Sequence, residues 1–177
     1  MPDSVAGREL DLGAGNVVRV PGAVRADRSR DVRPDLVLDA ASPLPFSDDR
    51  FDAVYCFDLL EHLDDIPSVL TEIHRVLRNG GKVLITTPHF SCANSFADPT
   101  HRHHFGWRSF EYFGDQHERR YYSRARFRIS RRTIRFHGGL IDAVVRRLAN
   151  RWPDWYEHRL AWLFPAWYLE FELVALK

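Results

Sequence analysis

A chain of 177 residues with a formal net charge of +1 and 45% hydrophobic residues can fill one core. That balance excludes wholesale disorder and shows no global bias toward a polyanionic partner. Two cysteines, Cys56 and Cys92, exclude a disulfide framework and a cysteine-rich zinc site. The start of the chain has no basic stretch followed by an apolar run, and no apolar stretch is long enough to span a bilayer, so the expectation is a soluble cytoplasmic protein.

Over the first ninety residues, short apolar runs alternate with turns or helical patterns, which predicts α/β architecture with a largely parallel sheet. Strands are predicted at Glu9–Leu12, Ala23–Ala26, Leu36–Leu38, Ala53–Phe57 and Lys82–Thr86. Between the last two, Ile66, Val69, Leu70, Ile73, Val76 and Leu77 keep helical spacing, and Asn79–Gly81 supply a stop. Residues 88–124, rich in proline, polar and aromatic residues, read as a long, partly irregular segment of the kind that often carries function. Arg126–Phe136 has strand character, with a change of phase around Ser130–Arg132 that predicts a bulge or a bend. Gly138–Gly139 break the chain, a helix follows at Leu140–Arg151, and "YLEFELVAL" closes as an alternating strand.

The stretch "DLGAG" follows the first strand, where glycines let the backbone turn tightly and approach a ligand. Alone it is equally a structural turn. Asp27 ends the second strand and suits two ribose hydroxyls. Asp39 ends the third and suits an exocyclic amine such as that of adenine. Singly, each acid is also a loop or capping residue. Together they mark the C-terminal edge of an open sheet, where such folds bind ligands.

The segments "LDLGAG", "LVLDAASPLPFSDDRFDAVYCFDLLEHLDD" and "EIHRVLRNGGKVLITTPH" resemble, in order, the motifs of class I S-adenosylmethionine-dependent methyltransferases, in particular short bacterial members without an N-terminal extension. The resemblance covers roughly residues 8–90. It implies a Rossmann-like three-layer α/β fold, a mostly parallel seven-stranded sheet whose last strand is antiparallel, and S-adenosylmethionine as cofactor. It also implies one domain over 1–177, with a cofactor-binding half (1–90) and an acceptor and cover half (91–177). Carried over by resemblance, Asp11, Gly13 and Gly15 form the turn around the methionine moiety, Asp27 holds the ribose, and Asp39 with Ala40 addresses adenine. Cys56 and Phe57 sit beside the sulfonium, and Glu61 and His62 brace the pocket or cap a helix locally. In one respect the chain departs from the family: only Gly13 to Gly22 separate the first two strands, so the first crossover helix is shortened or absent. Asn16–Pro21 are expected to run as an arc or a single turn, and apolar residues from elsewhere are expected to cover the bared sheet.

Residues 88–113 begin where the fifth strand ends and hold His89, Asp98, His101, His103 and His104. A histidine there suits a general base for methyl transfer to oxygen. His101 is the first candidate, with Asp98 as its orienting partner or a loop cap, and His89 is the second; each is also readable as structural or solvent-facing. No metal is demanded, although His101 and His103 with His104 or Asp98 leave a metal reading open. Eight aromatic residues from Trp152 to Phe171 are read as core, an acceptor pocket, a homodimer patch or a surface for a lipid-like substrate. The twelve arginines in 119–159 are read as solvated surface or as a site for an acidic acceptor; no RNA-binding motif is present. The sequence thus predicts O-methylation of a small or glycan-like acceptor. Its rivals are a non-catalytic cofactor-binding or scaffold subunit and a methyltransferase acting on RNA.

Overall fold

The computed structural model describes residues 8–114 and 123–177. Seven strands form a single sheet in the order β3-β2-β1-β4-β5-β7-β6. They are β1 (Glu9–Leu12), β2 (Val24–Asp27), β3 (Leu36–Val37), β4 (Phe51–Phe57), β5 (Leu77–Pro88), β6 (Phe127–Arg135) and β7 (Tyr168–Ala175). The first five pair in parallel, and β7 runs antiparallel to both β5 and β6. The helices are α1 (Ile66–Val76), α2 (Asn94–Ala97), α3 (Leu140–Arg151) and α4 (Pro153–Arg159). This is the expected mixed Rossmann-like sheet, with "YLEFELVAL" as its antiparallel strand.

Alternation along the strands sorts the two faces. Leu10, Val54, Val83 and Leu173 lie in register across β1, β4, β5 and β7, and all are fully buried. Onto this face α1 sets the buried side chains of Ile66, Val69, Leu70, Ile73 and Val76. Asp65 caps the start of α1 by accepting the Ser68 amide at 3.0 Å. Aromatic residues of the 88–114 segment complete the layer, with the Phe110 ring meeting that of Phe171 at 4.7 Å.

The opposite face lacks apolar cover. No helix joins β1 to β2; residues 13–23 form an arc of turns and bends, as the short spacing requires. The residues expected to cover this face do not do so. Trp152, Trp155 and Trp162 are exposed, and within that aromatic stretch Tyr156 and Phe171 are the rings that reach the core. The bared face instead carries polar and half-buried side chains. Lys82 pairs with Glu172 at 3.1 Å and Arg135 with Glu170 at 2.9 Å. Charged pairs remain solvated on an open face, so no apolar lid is needed.

One local expectation shifts and one holds. The helix ends at Val76, and Leu77 already pairs with Phe51 in the sheet. Asn79–Gly81 therefore bend strand β5, rather than stopping α1, with Gly80 at φ +74°. The bulge in β6 falls between Ile129 and Arg131. Beyond it, α3 guards the sheet edge: the Asn150 amide accepts from the Ile134 amide and donates to the Ile134 carbonyl, both at 2.9 Å, standing in for an eighth strand.

Candidate functional site

The glycine turn is held from β2, not by a crossover helix. The amides of Gly13 and Ala14 donate to the Ala26 carbonyl, the Gly15 amide donates to Asp27 Oδ2 at 3.0 Å, and Arg25 Nη2 donates to the Gly15 carbonyl at 2.6 Å. Gly13 and Gly15 have φ of +73° and +57°, and a Cβ on Gly13 would stand 2.8 Å from Leu59 Cδ1. Asp27 Oδ1 accepts from the Ser29 amide, so both carboxylate oxygens are anchored while each keeps a lone pair.

These groups open onto a cleft of about 280 Å³ at the C-terminal edge of the sheet. Its lining brings together Gly13, Gly15, Asp27, Asp39, Ala40 and His62, all singled out from the sequence, and adds Asp58, Leu59 and Thr100. Asp39 Oδ1 accepts the Ala41 amide at 2.9 Å, which fixes the carboxylate at the rim.

Three of the sequence-derived cofactor residues lie elsewhere. Cys56 is fully buried on the covered face beside Ile85, because alternation turns it away from Phe57; burial pushes its thiol pKa far up. Phe57 borders a neighbouring cleft with Arg19 and Trp167, and the Arg19 guanidinium lies 5.5 Å from its ring centre. Asp11 is 1% exposed beneath the turn, and its Oδ2 has no hydrogen-bond partner. Burial raises its pKa against the opposing pull of Arg19 and Arg25.

A second cavity of about 550 Å³ adjoins the first, lined by Asp58, Glu61, His62, Asp98, His101 and Tyr168 among others. Asp58 and His62 line both. The segment after β5 is tied down here, since the amides of Arg102 and His103 donate to the Glu61 carbonyl. Asp98 Oδ1 accepts from both the amide and hydroxyl of Thr100, so Asp98 is a loop cap, and its Oδ2 stands 3.9 Å from His101 Nε2.

The tautomers follow from these partners. His101 Nδ1 faces the Ser95 carbonyl at 3.2 Å, which only accepts, so Nδ1 carries the proton and Nε2 the lone pair. The Thr100 hydroxyl donates to Asp98 and therefore accepts from His62 Nδ1 at 2.8 Å, which frees His62 Nε2 in the same way. The two rings meet edge to face at 4.7 Å. One titratable atom from each of Glu61, His62 and His101 lies within 4.8 Å of the others. Glu61 is 1% exposed, neither carboxylate oxygen has a hydrogen-bond partner of normal geometry, and burial pushes its pKa up to about 7. Burial also lowers the pKa of His62.

His89 is a structural residue. It is fully buried, Nδ1 accepts the Ser91 amide at 3.1 Å, and Nε2 points to Glu157 Oε1 at 3.2 Å, so neither nitrogen is open to a ligand. His103 and His104 turn outward from this group, onto the Asp64 carbonyl and the Ser95 hydroxyl. Asp58 was missed in the sequence reading. It has φ +54°, and its Oδ1 is buried without a partner. Its signal is an acid directly after the fourth strand, in "CFDLLEH".

A mixed seven-stranded sheet with a glycine turn, two strand-end aspartates and a paired cavity at its C-terminal edge defines a Rossmann-like α/β fold with a ligand cleft at that edge. Residues 10–85 match the family described as methyltransferase domain. The chain is 39% identical over 71 residues to a 2-phytyl-1,4-naphtoquinone methyltransferase of Synechococcus elongatus, covering 38% of this chain and 30% of that one. It is 50% identical over 50 residues to a ubiquinone/menaquinone biosynthesis C-methyltransferase of Desulfotalea psychrophila, covering 27% and 20%. These matches span less than a third of either relative's own length. The fold is similar to that of a SAM-dependent methyltransferase from Archaeoglobus fulgidus, with a TM-score of 0.66 and 17% identity over 94% of this chain and 85% of that one. S-adenosylmethionine, the cofactor that the sequence resemblance implies, would suit the cleft: the space beside left-handed Gly15 is open, and the Asp27 and Asp39 carboxylates are fixed with lone pairs to spare.

Proposed function

We propose that the protein is a methyltransferase that uses S-adenosylmethionine to methylate an oxygen of a small-molecule acceptor. One observation carries this reading: Asp58 and His62 line both the cofactor cleft and the second cavity, so ligands in the two spaces meet at those side chains. S-adenosylmethionine, when bound, supplies a sulfonium methyl group for in-line displacement. Asp27 receives the ribose hydroxyls, Asp39 with Ala40 addresses the adenine, and the backbone of Gly13 and Gly15 borders the methionine end. His101 Nε2 takes the proton of the acceptor hydroxyl, and Asp98, 3.9 Å away, favours the imidazolium that results. Glu61, held near neutrality by burial, limits the negative charge beside the sulfonium. The quinone-related names of the two relatives support an aromatic small molecule as acceptor class.

The test is methyl transfer from labelled S-adenosylmethionine across a panel of phenols, hydroquinones and sugars. Product with the wild type and its loss in His101→Gln, with cofactor binding intact, is expected. Full turnover in His101→Gln would remove the base assignment. Cofactor binding without transfer to any acceptor would favour a non-catalytic subunit.

A further inference from the structure

Large apolar side chains left exposed lie on segments at the same edge of the sheet as the acceptor cavity. Strand direction brings them there. Val17 and Val18 follow β1, Phe96 follows β5, Leu140 and Ile141 follow β6, and Trp162 and Leu163 precede the antiparallel β7. All of these segments therefore share the C-terminal edge of the sheet. Trp162 and Leu163 are each 69% exposed. Contacts join the parts: the rings of Phe90 and Trp162 meet at 5.5 Å, His137 stacks on Trp167 at 4.5 Å, and Arg19, Phe57 and Trp167 line one cleft. Ala97, next to Phe96, is in the wall of the acceptor cavity.

Four arginines beside this surface are left without ion pairs: among the described residues no carboxylate pairs with Arg146, Arg147, Arg151 or Arg159. The acids nearby are engaged: Asp154 holds Arg108 at 2.6 Å, Glu157 accepts the Trp107 amide, and Asp142 accepts the Gly138 amide. Exposed tryptophans with unpaired arginines match the boundary of a bilayer, where indole rings lie at headgroup depth and guanidinium groups meet lipid phosphate.

From this we infer that the C-terminal edge docks on an anionic lipid bilayer, with the cavity mouth facing the membrane. Resting on the methyltransferase reading, the acceptor is then an amphiphile whose polar ring enters the cavity while its apolar tail stays in the lipid.

The test is co-sedimentation and tryptophan fluorescence with vesicles of phosphatidylcholine alone and of phosphatidylcholine mixed with phosphatidylglycerol. Four of the five tryptophans, Trp152, Trp155, Trp162 and Trp167, are exposed, so docking should shift emission to the blue. Binding should require the anionic lipid and weaken with salt. It should fall ~30-fold in Arg146→Glu/Arg147→Glu and also drop in Trp162→Ser/Leu163→Ser. These side chains are exposed, so circular dichroism and thermal melting should match the wild type. Absence of vesicle binding by a folded wild type would overturn the inference, as would equal binding by both variants. A dimer in light scattering that hides the tryptophans would overturn it in favour of self-association. Vesicle binding with methyl transfer to a soluble phenol or sugar but to no amphiphile would leave the docking face and the methyltransferase reading standing and reject the amphiphile as acceptor; vesicle binding with no transfer to any acceptor of either kind would reject the methyltransferase reading.

Discussion

The Gly15 amide donates to the Asp27 carboxylate at 3.0 Å, across a connection too short for a helix. One side chain thus does two jobs: it locks the glycine turn and presents its remaining lone pairs to the cleft. In a longer crossover the helix would steady the turn. Here Asp27, the Arg25 guanidinium and the Ala26 carbonyl do so. Asp27→Ala should therefore weaken S-adenosylhomocysteine binding by at least ~10-fold, as expected for removal of a charged hydrogen-bonding group, and destabilise the fold by about 1 kcal/mol. Calorimetry and urea denaturation measure the two effects.

Gly13→Val should be more damaging to folding than Gly15→Val. Both positions have positive φ, but only at Gly13 would the new Cβ press on Leu59, at 2.8 Å. Strain of about 1–3 kcal/mol applies at either position, and the contact adds to it at Gly13. Thermal melts of the two variants should rank in that order.

Much of this edge was legible beforehand because its signals are local. Glycines after a strand and acids at the ends of the next two strands can be read in a line, and Gly13, Gly15, Asp27, Asp39, Ala40 and His62 do meet in one cleft. Cys56 misled because a motif gives position along a strand without its face, and alternation sends its side chain into the core. His89 misled for a different reason. Its partner Glu157 lies on α4, and no local pattern connects the two. The aromatic stretch 152–171 has a core-like composition, but polar pairs such as Lys82–Glu172 satisfy the sheet face it was expected to cover.

Glu61 makes a pH prediction. In the unfolded chain its carboxyl titrates near 4.5, and burial raises it to about 7 in the folded protein. Below 4.5 both states are protonated and the group is neutral toward folding. As pH rises through this window the unfolded chain ionises first, so stability is lost and the loss is complete above about 7. Glu61→Gln should thus be more stable than wild type at pH 8 by roughly 3 kcal/mol, with the gain vanishing toward pH 4.5. Parallel stability curves for the two proteins across this range would contradict the assigned burial effect.

The edge of β6 offers a test of the fold itself. Asn150 satisfies both backbone groups of Ile134. Asn150→Leu should cost about 1–3 kcal/mol and expose an unpaired edge. Urea midpoints should fall, and light scattering should show association on warming that the wild type lacks.

Calorimetric titration with S-adenosylhomocysteine, comparing wild type with Asp27→Ala, addresses the central claim that the short-crossover cleft is a working cofactor site. Saturable one-to-one binding by the wild type and a marked loss in the variant, with both folded, are the expected results. No binding by folded wild type, or equal binding by both, would contradict it.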